Sequence, residues 1–541
     1  APQQRTSRMM KEKKDFNEDD DLVFARAQVA EEVTTDDDDG DVVIVEAKAV
    51  TVDSMEMGER EESAGGVTKG EIQPVAFQDT WAAILFIIQY IGVFGVTFYY
   101  GSYALSSTSN ADDADNEYPS SSDVPGSEFS LTIPLMISYA VSVFTTIGAL
   151  ILMMRNPDAL VKVSFFVAPV IFLAIAILCF LEGEGISGFF AVVALISSLL
   201  MICMWFVFKK HVPFAAANLR TALSALRVNP GTYTVAFFFT IVLWLSMTIT
   251  SIAIAGMYAK AESEGTVPCE YPDSEGALCY KNPPNTFLML FLCLGFYWAQ
   301  QVINNVIHVT TAGVVGTWWF TPLAEPSCCS RNVTNSLGRA LTYSFGSICF
   351  GSLLIAIMQL LEQMARSQNR NGRGNILTCL LQCIIQCLRG WLEYFNSWAF
   401  VYVALYGYPY IEAGKNVIQL FRHKGWTTII ADRLVVRVLM FCILGVAATS
   451  GLLLMLLDMA IGPFWSAEQD VSHLISFFVA FLVGLFISNV VFFVVESAVR
   501  TSIVCFAESP AEFDEHHPIL SENMKAGWAE AYPTVMGGVL T

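Results

Sequence analysis

Two rows of side chains in this 541-residue chain have the types and spacing to act on a ligand together. The first is Tyr297, Gln301, Asn304, His308 and Thr311, separated by 4, 3, 4 and 3 residues within NTFLMLFLCLGFYWAQQVINNVIHVTTAGVVGTWWF. That spacing sets all five on one narrow face of an α-helix. The second is Tyr394, Trp398, Tyr402, Tyr406 and Tyr410, an aromatic residue at every fourth position of YFNSWAFVYVALYGYPY. Rings four apart stack on one side of a helix as a ridge that drifts slowly round the axis. Ring faces attract a cation, amides hydrogen-bond a hydroxyl, and an imidazole titrates near neutral pH. The same groups also serve as packing. The polar row could line a wet cavity or satisfy Asn396, Ser397 and Ser347 across a helix interface, and a lone histidine is commonly neutral and bonded to a backbone carbonyl.

What must position these rows is a membrane. Hydrophobic residues make up 54% of the chain and charged residues 15%, with a mean hydropathy of +0.51. Soluble domains carry about 25% charge, and several runs here exceed the ~18 apolar residues that cross a bilayer. The chain reads as an all-α polytopic membrane protein with about ten transmembrane helices, at roughly 80–100, 130–154, 161–181, 186–208, 231–258, 286–320, 336–364, 391–408, 433–460 and 474–502. Two further segments, HVPFAAANLRTALSALRVNPG and AGKNVIQLFRHKGWTTIIADRL, mix basic and apolar residues at helical spacing and predict interfacial amphipathic helices. Residues 1–74 hold about half of the formal charge of −20 and read as a disordered acidic tail, 75–505 as the membrane domain, and 506–541 as a C-terminal tail. The first strongly apolar run starts near Trp81, so no cleavable leader is expected.

An even number of spans leaves both ends on one side. The connections after the second, fourth, sixth and eighth spans are basic, which assigns both tails to the cytoplasm. RSQNRNGRG, 366–374, disobeys, since it is basic and falls outside. A break of the sixth segment at Gly313 and Gly316 is the alternative, and it would reverse everything downstream. Trp318 and Trp319 read as aromatic-belt anchors at the inner boundary.

Cys269 and Cys279, in the polar loop CEYPDSEGALC, are expected to form a disulfide in an oxidising compartment. Cys379, Cys383 and Cys387 recur at helical spacing without histidine or carboxylate partners, so packing or lipidation outranks a metal. No cofactor is implied, and an acidic tail argues against nucleic acid as a partner. No HExxH, GxSxG, P-loop or dinucleotide fingerprint is present, so no enzyme activity is expected.

Four blocks make the chain resemble a known family: NVIHVTTAGVVGTWWF (305–320), SLGRALTYSFGSICFGSLLIAI (336–357), NSWAFVYVALYGYPYIEAGKNVIQLF (396–421) and VRTSIVCFAESP (499–510). In that order they resemble the choline transporter-like family of solute carriers, over about Trp81 to Trp528. The resemblance implies a ten-span carrier with cytoplasmic ends, moving choline or a related small organic amine, with protons as a candidate coupling ion. It implies a multi-pass membrane location, the plasma membrane first and an organellar membrane second. Arg500 departs from the carboxylate that many members carry there. Given such a substrate, Trp398 and Tyr402, with Tyr297 opposite, are the expected cage, Gln301, Asn304 or Asn396 the partner of the hydroxyl, and His308 a further site residue. Ethanolamine or a thiamine-like amine would suit the same architecture. Lipid-headgroup or scramblase-like handling, and a structural or trafficking role without transport, are the alternatives.

Overall fold

In hydrocarbon a backbone N–H or C=O has no water to pair with, so a spanning segment must satisfy itself as a helix. The computed structural model describes residues 76–114, 132–182, 185–268, 278–280, 282, 284–320, 330–368, 376–426, 434–462, 464 and 469–533, and long helices dominate it. In chain order these are α1 (Thr80–Ala114), α2 (Thr132–Arg155), α3 (Pro157–Glu182), α4 (Gly185–Phe208), α5 (Val212–Val228) and α6 (Gly231–Ser263). A hairpin of β1 (Thr266–Pro268) and β2 (Leu278–Tyr280) follows, with Val267 opposite Cys279. Then come α7 (Thr286–Phe320), α8 (Arg331–Leu341), α9 (Phe345–Gln368), α10 (Ile376–Tyr406) and α11 (Tyr410–His423). The last four are α12 (Leu434–Ile461), α13 (Gln469–Glu508), α14 (Pro510–His516) and α15 (Pro518–Ala531). The acidic tail at 1–74 and Cys269 lie outside the described residues.

Among the described residues, seven helices are long and apolar enough to cross a membrane: α1, α2, α6, α7, α9, α12 and α13. Of the other three predicted spans, 161–181 and 186–208 fall within α3 and α4, and 391–408 overlaps α10, which starts fifteen residues earlier and ends at Tyr406. The sixth segment is one unbroken helix through Gly313 and Gly316, so the double crossing does not occur there. These two glycines serve close packing instead: a Cβ at Gly313 would meet Ser336 Oγ at 2.9 Å and one at Gly316 would meet Leu405 Cδ2 at 2.1 Å.

Two predicted elements differ. The seventh span begins at Phe345, not at 336, because Thr342–Ser344 breaks the chain there, with the Arg339 carbonyl accepting from the N–H groups of both Thr342 and Ser344. What precedes the break is the short polar helix α8, capped by the Ser330 hydroxyl accepting from Val333 N. The helix predicted to rest on the membrane surface, α5, is enclosed by protein, with Phe214, Ala215, Leu219, Ala222 and Leu226 all nearly inaccessible. Its alanines let α15 approach: Trp528 lies 5.0 Å from Phe214 between ring centres and donates to Asn218 Oδ1 at 3.3 Å. The second amphipathic helix, α11, buries Tyr410, Ala413, Val417 and Phe421 and exposes Ile411, Lys415 and Arg422.

Candidate functional site

Three helices carry the polar chemistry, and His308 on α7 joins them. Its Nε2–H donates to the Ser397 carbonyl of α10 at 3.0 Å, and its Nδ1 lies 2.6 Å from the Ser497 hydroxyl of α13, which itself donates to the His308 carbonyl at 3.1 Å. Both ring nitrogens are engaged. Eleven residues further along α7, Trp319 Nε1 donates to Ser509 O at 3.2 Å, just past the end of α13 and twelve residues beyond Ser497. Matched advances on both chains mean that α7 and α13 run parallel here.

Below this joint the aromatic ridge of α10 closes on a carboxylate. Tyr402 donates its hydroxyl to Glu508 Oε2 at 2.7 Å. Tyr406 packs edge-on to Tyr402 at 5.2 Å and Tyr408 stacks over it at 6.5 Å, so the ring that binds this carboxylate, itself only 5% exposed, belongs to a cluster of three. Burying a charge in such a place is costly unless polar groups surround it. The ridge ends here, because Gly407 takes φ +70° and Pro409 starts a new helix. Tyr410 therefore belongs to α11, where its hydroxyl donates to Asn396 Oδ1.

The end of α7 is sealed by α14 and the residue after it. Trp319 stacks on Phe513 at 3.9 Å and Trp318 on His517 at 4.0 Å, while His516 and His517 reach the carbonyls of Trp319 and Trp318. The two tryptophans are buried against protein, which corrects their reading as belt anchors. The other half of α7 is looser. Tyr297, Gln301 and Asn304 are half-buried, and Tyr297 lies within electrostatic reach of Glu362, Arg366 and Arg389. There Glu362 of α9 is buried between Arg366 and Arg389 and accepts from Gln386 at 3.1 Å. This explains part of the disobedient outer loop, since Arg366 turns back to a carboxylate.

The predicted residues thus occupy separate levels. Tyr297 precedes His308 by eleven residues, about 16 Å along the axis at ~1.5 Å per residue, so it does not stand opposite Trp398, the neighbour of Ser397. Asn396 is fully committed: its amide donates to Gly351 O at 2.9 Å and accepts from Tyr410, which removes it as a hydroxyl partner for a ligand. Trp398 is 7% exposed, edge-on to Phe421 at 5.2 Å, and its indole Nε1 has no hydrogen-bond partner. An unpartnered donor buried that deeply is uncommon. Sequence reasoning missed Ser497, Tyr408 and Glu508. The available signal for Glu508 was a carboxylate within VRTSIVCFAESP, six residues past the end of the predicted tenth span. Arg500, beside these, pairs with Glu496 one turn earlier.

A bundle of spanning helices with a buried polar joint, an aromatic ridge and a carboxylate at its foot defines a multi-pass membrane protein of the transport class. The chain matches the family model described as plasma-membrane choline transporter over residues 189–511, more than half its length, and it belongs to that family. It is similar to Protein PNS1 of Eremothecium gossypii, 28% identical over 446 residues that cover 80% of this chain and 77% of the relative. Protein PNS1 of Neurospora crassa is 28% identical over 87% of this chain and 82% of its own length, and that of Saccharomyces cerevisiae 27% identical over 62% of each.

Proposed function

We propose that the chain carries choline or a related small organic amine across the plasma membrane, through ten crossings with both ends in the cytoplasm. The observation that carries this reading is Glu508, a buried carboxylate bonded by Tyr402, whose ring packs with Tyr406 and Tyr408 and follows the unpartnered indole of Trp398 by one turn. A quaternary ammonium donates no hydrogen bond from nitrogen, so ring faces and a nearby negative charge are what recognise it. Each desolvated ring contact contributes up to about 2 kcal/mol, so two or three rings support micromolar to millimolar binding once the costs of association are subtracted. That weakness suits a carrier, which must release its load.

The roles follow from the levels. Tyr297, Gln301 and Asn304 line the looser half, through which the amine passes, and an amide of Gln301 or Asn304 holds its hydroxyl. Trp398 and Tyr402 supply the ring faces, and Glu508 the charge. His308 fixes the three helices to one another. A carboxylate in this setting holds a cation or a proton but not both at once, which is how exchange against protons would be built. The stacked end, closed by Phe513 and His517, is the cytoplasmic one, and Gly407 is the hinge on which it opens. Outside the helices, Cys269 and Cys279 close the turn between β1 and β2 as a disulfide, which a mass difference of two hydrogens between oxidised and reduced peptides would register.

The test is a panel of labelled choline, ethanolamine and thiamine taken up by proteoliposomes, with and without a pH gradient. Saturable choline uptake that responds to the gradient is expected. Lipid scrambling without amine uptake in the same vesicles would overturn the reading.

A further inference from the structure

A second aromatic cage stands at the far end of α1, away from the ridge, and it already holds a cation. The Lys260 Nζ of α6 lies 5.1 Å from the ring centre of Tyr99 and 5.6 Å from those of Tyr100 and Tyr103. It also donates to the Tyr99 hydroxyl at 3.2 Å. Tyr99 and Tyr100 meet edge to face at 4.8 Å. An ammonium within about 6 Å of ring centres is at cation–π distance, and here three rings share one charge.

The arrangement is built into the backbone. Gly256, one turn before Lys260, touches α1 so closely that a Cβ there would lie 2.1 Å from Tyr100 O. Any side chain at that position would push the lysine's helix away from the rings. Lys260 also sits in the last turn of α6, where unpaired carbonyls present the negative end of the helix dipole. Glu262 and Glu264 follow directly, so the negative potential at this corner favours a cation in the cage.

We propose that Tyr99, Tyr100 and Tyr103 form an outer binding site for small organic ammonium ions, and that Lys260 is a tethered occupant which such a ligand displaces. The chain's own ammonium identifies the chemistry the rings accept. A primary ammonium is strongly hydrated and asks for hydrogen-bond acceptors, of which this cage supplies the Tyr99 hydroxyl. A quaternary ammonium needs none and gives up its weaker hydration more readily, so it competes with the lysine despite the tether. The tether acts as a threshold: its millimolar-range effective concentration must be exceeded before the cage loads. A role in loading the carrier rests on the cation-transport reading above; the binding itself does not.

The experiment is saturation-transfer NMR of tetramethylammonium with the purified protein in phosphatidylglycerol nanodiscs. Lys260→Gln should tighten binding by about threefold or more, as expected when a tethered competitor is removed. Lys260→Arg should leave it near wild type, because a guanidinium refills the rings. In a Tyr99→Leu, Tyr103→Leu background the gain from Lys260→Gln should vanish. Equal affinities for wild type and Lys260→Gln would overturn the proposal, leaving the lysine as an interfacial anchor. A gain that survives loss of the tyrosines would also overturn it, since that is bulk charge repulsion. Repeating the series in phosphatidylcholine discs separates the ligand's sources: undiminished binding assigns the cage to free cations, and lost binding assigns it to the lipid headgroup. The Trp398→Ala protein should retain the cage signal whether or not it transports, so failure here and failure of the transport reading are distinguishable.

Discussion

The two halves of α7 carry the same kinds of side chain and use them differently. From Val306 to Gly316 every residue is buried, and His308 is spent on Ser397 and Ser497 and Thr311 on the carbonyl of Ile307, while the Thr310 hydroxyl is buried without a partner. From Tyr297 to Asn305 the tyrosine and the amides are half-buried, and Asn305 reaches across to Ser352 of α9 at 2.9 Å. A regular polar stripe on one helix is therefore two devices in series, an accessible approach and a locked joint. The stripe's spacing is uniform, so the difference comes from what packs against it. α8, α13 and α14 cover the second half with glycine-enabled contacts and stacked rings, whereas the first half faces the salt-bridged ends of α9 and α10.

The sharpest way to break that contrast is at the foot of the joint. Trp398→Ala should raise the KM for choline uptake by about ten- to thirtyfold, equivalent to ~1.4–2 kcal/mol of lost cation–π contact, with Trp398→Phe recovering part of it. His308→Ala should act on the fold instead of on the substrate. It removes the ring's bonds to Ser497 of α13 and to the Ser397 carbonyl of α10, a loss of about 1–3 kcal/mol, visible as a lower midpoint of thermal unfolding in detergent.

The third effect is one of pH, confined to the stacked end. Burial holds His517 below the ordinary imidazole value, the Trp318 carbonyl opposes this, and neighbouring His516 adds to the lowering. An undocked His517 would titrate near the usual ~6.5, so the undocked form takes up a proton first as pH falls. Docking of α14 and α15 should be complete above about pH 6.5 and weaken between there and the lower docked value. Hydrogen exchange of residues 510–531 at pH 7.5 and 5.5 would measure it, and faster exchange at 5.5 is expected. The smallest effect belongs to the accessible half: Gln301→Ala should change KM by less than about threefold, since a half-exposed amide is readily replaced by water.

Much of this was legible beforehand because apolar length and helical period are local properties. A long helix overlaps each of the ten apolar runs, although the seventh starts later and the eighth earlier than its run, and the row on α7 is one face of one helix. What was not legible depends on tertiary neighbours. Gly407 and Pro409 mark the end of the ridge helix by residue type, so Tyr410, though it continues the four-residue spacing, falls on the next helix. An alanine-rich amphipathic segment such as α5 has the same pattern whether lipid or Trp528 covers it. Tyr297 and Trp398 share no level because level is set by where α7 meets α10, which no spacing within either helix encodes. Glu508 stands over a hundred residues from the tyrosine that binds it.

The central claim is that a buried carboxylate against tyrosine faces holds the transported cation. Labelled choline uptake by Glu508→Gln, beside wild type at matched amounts in proteoliposomes, tests it most directly. The glutamine keeps an acceptor for the Tyr402 hydroxyl and removes only the charge. More than about a tenfold loss of uptake with an unchanged unfolding midpoint is the predicted result, the equivalent of ~1.4 kcal/mol. Uptake equal to wild type, with the same KM, would contradict it.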